Sequence, residues 1–149
     1  MISLHRTDSA NPDFVALVRL LDIYLAEKDG DEHAFYASFN KLNTIQHVLL
    51  AYENKKAIGC GALRGFDKEK VEVKRMYVLE SDRGKGVASI ILSGLEEWAA
   101  ELGYRQCILE TGRRQEEAVI FYQRRGYQSI PNFAQYADRD NSLSFIKML

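Results

Sequence analysis

Arg83-Gly84-Lys85-Gly86-Val87-Ala88 stands where a strand gives way to a helix. Upstream, Val71-Glu72-Val73-Lys74-Arg75-Met76-Tyr77-Val78 reads as a strand. Downstream, Val87, Ile90, Ile91, Leu95, Trp98, Ala99 and Leu102 recur at helical spacing, and Gly103 supplies the stop. The two glycines let the backbone approach a ligand closely. The first N–H groups of the helix lack intrahelical acceptors, and the helix dipole favours an anion beside them. Arg83 and Lys85 add positive charge. These are the parts of a pyrophosphate cradle, and equally of a tight turn into a core helix with solvated charges. Spacing excludes the two best-known nucleotide cradles. The string Gly-x-x-x-x-Gly-Lys-Ser/Thr does not occur, and Gly-x-Gly-x-x-Gly fails because Ser89 takes the third glycine's place.

The rest of the chain sorts into elements around this loop. Residues 2–7 read as a short strand. Asn11-Pro12-Asp13 combines a cap residue, a proline at the first helical position and an acid in the first turn, and Phe14, Leu17, Val18, Leu21 and Leu25 follow at helical spacing. Asp29-Gly30-Asp31-Glu32 stops that helix, and a second runs through Phe35 and Phe39. Residues 46–52 and 57–63 form a hairpin around the polar turn at 53–56. Gly59 and Gly61 inside a strand point to close packing or a bulge. Strands follow at 106–111, 127–130 and 142–148, with a helix at 115–125 ended by Gly126. Antiparallel pairing in the first half and a strand–helix–strand unit in the second predict an α/β protein with a mixed sheet and helices on both faces.

Composition narrows the function. With 149 residues the chain has the length of one domain. It carries 20 Lys and Arg against 21 Asp and Glu, a net charge of -1, which argues against a dedicated binder of nucleic acid or anionic membrane. No apolar run reaches the roughly 18 residues of a membrane span, and the start has no apolar stretch of a secretory signal. Cys60 and Cys107 sit in apolar stretches and read as buried thiols in a reducing compartment, so the cytoplasm is the expected location. His5 and His47 are isolated, and no metal-ligand spacing occurs, so no metal is expected.

The cradle resembles a second kind of signature more closely. Arg83-Gly84-Lys85-Gly86-Val87-Ala88 fits Gln/Arg-x-x-Gly-x-Gly/Ala, the acetyl-CoA motif of the GNAT superfamily of N-acetyltransferases. Ala118-Val119-Ile120-Phe121-Tyr122-Gln123-Arg124-Arg125-Gly126-Tyr127 resembles that superfamily's second motif, Ala-x-x-(Leu/Phe)-Tyr-x-x-x-Gly-(Phe/Tyr). Order and spacing match over roughly residues 46–149. Lys74-Arg75-Met76-Tyr77-Val78 and Leu109-Glu110-Thr111-Gly112 look like a bacterial subgroup without a defined substrate. The resemblance implies the GNAT fold, a mostly antiparallel sheet whose central strands splay apart, and transfer of acetyl from acetyl-CoA to a primary amine of a small molecule or peptide. Direct attack in a ternary complex is implied, since neither cysteine has an activating histidine context.

Residue by residue, the resemblance implies that Met76, Tyr77 and Val78 pair with the pantetheine arm, and that one of their N–H groups stabilises the oxyanion. It implies that the amides of Arg83, Gly84, Lys85, Gly86, Val87 and Ala88 hold the pyrophosphate. Tyr122 falls on the usual general acid; a phenol titrating near 10 stays protonated at neutral pH and can donate to a thiolate. Glu72 falls where relatives often carry a base, and Glu110 is its competitor, with Thr111 near the ligand. A Lys-paired or solvent-facing carboxylate is the alternative reading of Glu72. Strand alternation puts Glu72, Lys74, Met76 and Val78 on one face unless a bulge intervenes. Gln115 replaces the family's frequent Asn and can offer the same amide to the CoA arm. Asp29, Asp31 and Glu32 read as a solvated helix-end loop with a surface His33 beside it, or, as the resemblance implies for this region, as an acidic cluster on the acceptor side for a cationic amine, lined also by His33, Phe35 and Tyr36. Arg113, Arg114, Arg124 and Arg125 read as solvated charges of which one or two reach the CoA phosphates. A homodimer is common among such proteins, and a non-catalytic acyl-CoA sensor is the rival reading.

Overall fold

The computed structural model describes residues 1–30 and 45–149. In order they form β1 (Ile2–Thr7), α1 (Pro12–Asp29), β2 (His47–Glu53), β3 (Lys56–Gly65), β4 (Lys70–Val78), α2 (Val87–Glu101), β5 (Gln106–Gly112), α3 (Glu116–Arg124), β6 (Gln128–Ile130) and β7 (Ser142–Met148). Short 3-10 turns lie at Glu80–Asp82 and Ala134–Tyr136. The helix expected through Phe35 and Phe39, and the cluster of Asp31, Glu32, His33 and Tyr36, lie outside the described residues. Local chemistry explains most boundaries. Asn11 caps α1 by accepting the Asp13 N–H at 2.9 Å, with Pro12 at the first helical position. Asn54 and Lys55 both take positive φ, as a two-residue hairpin turn requires.

The strands of the described residues build a seven-stranded sheet ordered β1-β2-β3-β4-β5-β7-β6. Neighbours are antiparallel except β4 and β5, which run parallel. This is the mixed, mostly antiparallel sheet expected. Phe14, Leu17 and Val18 of α1 cover one face with Val48, Leu50, Cys60 and Ala62. α2 and α3 lie against the larger apolar cluster built on Leu49, Val71, Val73, Leu109 and Phe145. The apolar stripe of α2 runs Val87, Ile91, Leu92, Leu95 and Ala99. Ile90 and Leu102, expected in it, are exposed. Leu102 lies past the last helical turn as the C-cap, and Ile90 sits on the flank that the sheet does not reach.

Two irregularities of the sheet shape the site. β3 and β4 are in register as Ala62↔Lys74 and again as Cys60↔Tyr77, so β4 carries one extra residue between them. Arg75 takes φ +59 there, a β-bulge. The bulge corrects the expected grouping. Glu72 and Lys74 share a face, but Met76 and Val78 turn to the opposite one, where they join the cluster under α2. Tyr77 takes their place and packs with the α1 cluster. Gly61 is the partner of this shift: a Cβ there would lie 2.6 Å from Met76 Sδ and 2.7 Å from Leu95 Cδ1. The second irregularity is that β4 pairs with β5 only at Lys70↔Gln106, Val71↔Cys107 and Glu72↔Ile108. Beyond Glu72 the two strands part, and β4 runs on to Val78 while β5 stays paired with β7 through Gly112.

Candidate active site

The gap between β4 and β5 opens into two cavities that meet. One is a cleft of about 390 Å³ bounded by the end of β4, the 83–88 loop, the first turn of α2 and the inner face of α3. The other, of about 120 Å³, lies between β4, β5 and the Ala134–Tyr136 turn. Leu21, Met76, Gln115, Ala118 and Tyr122 line both. Tyr122 therefore stands at the junction.

The first cavity brings Met76, Tyr77, Val78, Arg83, Gly84, Gly86, Val87, Ala88 and Gln115 together in its wall. Gly84 and Gly86 take φ +81 and +82, and a Cβ on either would meet nothing within 4 Å. Both φ values lie in the left-handed region that glycine adopts at least cost, and the space beside this backbone is open. α2 begins directly after Gly86, so its first N–H groups have no intrahelical acceptor. Lys85 is the exception among the expected residues. Its ammonium reaches Glu53 and Asp82, each at 2.8 Å, and does not line the cleft. Arg83 donates from Nε to the Val78 carbonyl at 2.9 Å, and its guanidinium lies over the rings of Tyr77 and Tyr24. Positive charge at the cleft comes also from Arg125, which donates to Ser89 Oγ at 2.9 Å and lies over Phe121. Of the other arginines, Arg113 donates to the Asp140 carbonyl, Arg114 to that of Lys28, and Arg124 is exposed.

Glu72, Lys74, Arg75, Glu110, Thr111 and Tyr136 give the second cavity its polar wall. Glu72 is buried, and its Oε2 lies 3.5 Å from Lys74 Nζ. Burial raises the Glu72 pKa above the ordinary carboxylate value, and the Lys74 ammonium works against that rise. Burial lowers the pKa of Lys74, and Glu72 works against that. The Lys-paired reading of Glu72 thus holds, together with its placement in the cavity. Arg75 ties the bulge to α1 through Asp22 at 2.9 Å, and its carbonyl accepts the Cys60 thiol. Tyr136 was not legible in the sequence, because its stretch carries no motif. It is buried, and burial and the nearby Glu72 and Glu110 charges all hold its phenol protonated.

Tyr122 is 8% exposed, with its ring edge-on to Phe121 and Tyr127. Burial pushes its pKa up, so the phenol is a proton donor throughout the neutral range. The two thiols are buried and pushed up to about 12. We expect both to be silent to a disulfide reagent such as DTNB at pH 8 in the folded protein and to react on unfolding in guanidinium. A fast-reacting thiol in the native state would contradict their placement.

Comparison with known proteins fits this geometry. The family model of the acetyltransferase (GNAT) family matches residues 14–127. Uncharacterized N-acetyltransferase YsnE of Bacillus subtilis is 37% identical over 101 residues, 66% of this chain and 67% of its own length. A Klebsiella pneumoniae protein assigned as an acyl-CoA N-acyltransferase superposes with a TM-score of 0.84 at 28% identity, over 100% of this chain and 98% of that one. A GNAT family acetyltransferase of Elizabethkingia anophelis with acetyl-CoA bound shares the fold, with a TM-score of 0.73 at 19% identity over 99% and 98% of the two chains.

Proposed function

The chain belongs to the GNAT acetyltransferase family and is an acetyl-CoA-dependent N-acetyltransferase, and from that premise we propose that it acetylates a primary amine of a small molecule or peptide by direct attack in a ternary complex. The observation that carries this reading is the meeting of the two cavities at Tyr122, one walled by an open glycine cradle and the other by a buried carboxylate. The residues fit the co-substrate. The open space at Gly84 and Gly86 and the start of α2 suit a diphosphate, and the stretch of β4 beyond its pairing with β5 suits an extended amide-bearing arm.

Acetyl-CoA supplies an activated acetyl thioester. The amides of residues 84–88 hold its diphosphate, and Arg125 adds charge beside them. The backbone of Met76, Tyr77 and Val78 aligns the arm, and an N–H of that stretch faces the acyl oxygen as charge develops there. Glu72 accepts the proton that the acceptor ammonium must lose before it can attack. Tyr122 donates its proton to the departing sulfur. No acyl-cysteine step enters, because both thiols are buried and held protonated. The protonated form of Glu72 cannot serve as base, so kcat/KM falls as the pH drops through the Glu72 pKa, which burial holds above the ordinary carboxylate value.

The test is release of CoA thiol from acetyl-CoA in the presence of a panel of primary amines and short peptides. The expected result is release that depends on at least one of them. Binding of acetyl-CoA with release that no amine accelerates would overturn the acceptor assignment.

A further inference from the structure

Glu72 and Lys74 lie two residues apart on β4, ahead of the bulge, so both side chains leave the same face of the sheet. Both are buried, with side chains 9% and 5% exposed, and Lys74 Nζ lies 3.5 Å from Glu72 Oε2. Their face opens on the acceptor-side cavity. The other titratable and charged groups around Glu72 are Arg64, opposite it on β3, Glu110 on β5, Tyr136 on the 3-10 turn and Arg75 at the bulge. α1 contributes the apolar Leu21 and Leu25 to the cavity, and its Asp22 is taken by Arg75.

A buried ion pair is a poor device for stability, since apolar residues of similar size serve as well or better. At the wall of a cavity its chemistry matters more. A carboxylate withdrawn from water keeps its proton, and a carboxylic acid cannot take another from a substrate ammonium. A nearby fixed cation works against that preference. We propose that Lys74 is a positioning residue for the transfer: its ammonium keeps the Glu72 carboxylate charged and aimed into the acceptor cavity. This rests on the reading of Glu72 as the base. The acceptor's N–H bond breaks, its proton moves to a Glu72 oxygen, and Lys74 keeps its own three protons throughout.

The test has two arms. In the first, protein labelled with 13C at glutamate carboxyls is titrated by NMR without substrate, and Glu72→Gln identifies the Glu72 signal. Lys74→Met is expected to move the Glu72 midpoint upward by about 1–3 pH units, the usual effect of losing a close opposite charge, and Lys74→Arg to restore most of the shift. Lys74→Gln carries the same test should the Met variant not fold. In the second arm, the acid limb of kcat/KM for an amine found in the panel moves upward by the same amount, with KM for acetyl-CoA unchanged. A midpoint that stays in place overturns the proposal. So does a midpoint that moves while the acid limb does not, because Glu72 is then not the base; acetyl transfer itself stands in that case. Acetyl transfer falls, and the role of Lys74 with it, only if the wild-type protein shows no amine-dependent release at all.

Discussion

Replacing Tyr122 by Phe is expected to cut kcat by about 10²–10⁴-fold, the usual range for a positioned proton donor, while the Kd for acetyl-CoA changes by no more than about twofold. The substitution removes one oxygen and leaves the ring. The edge-on contacts to Phe121 and Tyr127 belong to the ring and survive, so neither the fold nor the cavity walls change. What is lost is the O–H at the junction of the two cavities. A phenol held protonated by burial keeps its proton until negative charge develops on the departing sulfur, and it can donate there as the C–S bond breaks. The loss therefore belongs to the transition state, so kcat and kcat/KM should fall together. Steady-state kinetics with calorimetry on the same variant separates the outcomes. A rise in Kd with kcat intact would make Tyr122 a binding residue, and no change in either would remove it from the reaction.

The second large effect is expected from Gly61→Val. Its Cβ would lie 2.6 Å from Met76 Sδ, 2.7 Å from Leu95 Cδ1 and 3.0 Å from Ile91 Cγ2. Leu95 and Ile91 are fully buried, so neither can swing away into solvent. Overpacking of this kind costs about 1–3 kcal/mol, and a β-branched residue adds two more carbons in the same space. For a chain of 149 residues that corresponds to a fall in Tm of several degrees, at about 2–4 °C per kcal/mol. The displaced side chain that can move is Met76, which lines both cavities. Weaker acetyl-CoA binding should therefore accompany the loss of stability. An unchanged Tm would show that α2 does not sit on this strand as closely as described.

Much of this arrangement is legible in the amino-acid sequence. The turn before α2 is legible because glycine adopts the left-handed backbone of Gly84 and Gly86 at least cost, and because the apolar stripe of a helix starts directly after it. Gly59 and Gly61 announce close packing or a bulge, and both are found there: α2 packs against them and the β3–β4 register shifts at Gly61. Which residue of β4 bulges is not announced. Residues 71–78 show no break in their pattern, and Arg75 is not a residue that invites positive φ. Its conformation is held by partners far along the chain, Asp22 on α1 and the Cys60 thiol on β3. The face that Met76 and Val78 take follows from that tertiary context. The Lys85 side chain reads as added positive charge in the motif, yet Glu53, 32 residues away, and Asp82 hold its ammonium. Tyr136 reaches the cavity from a loop whose composition marks nothing.

A crystal structure with coenzyme A bound tests the whole account most directly. The expected result has the diphosphate oxygens on the backbone amides of residues 84–88, the arm alongside Met76, Tyr77 and Val78, and the sulfur within hydrogen-bonding reach of Tyr122 Oη. A diphosphate seated away from the start of α2, or a sulfur facing away from the cavity that holds Glu72, would contradict it.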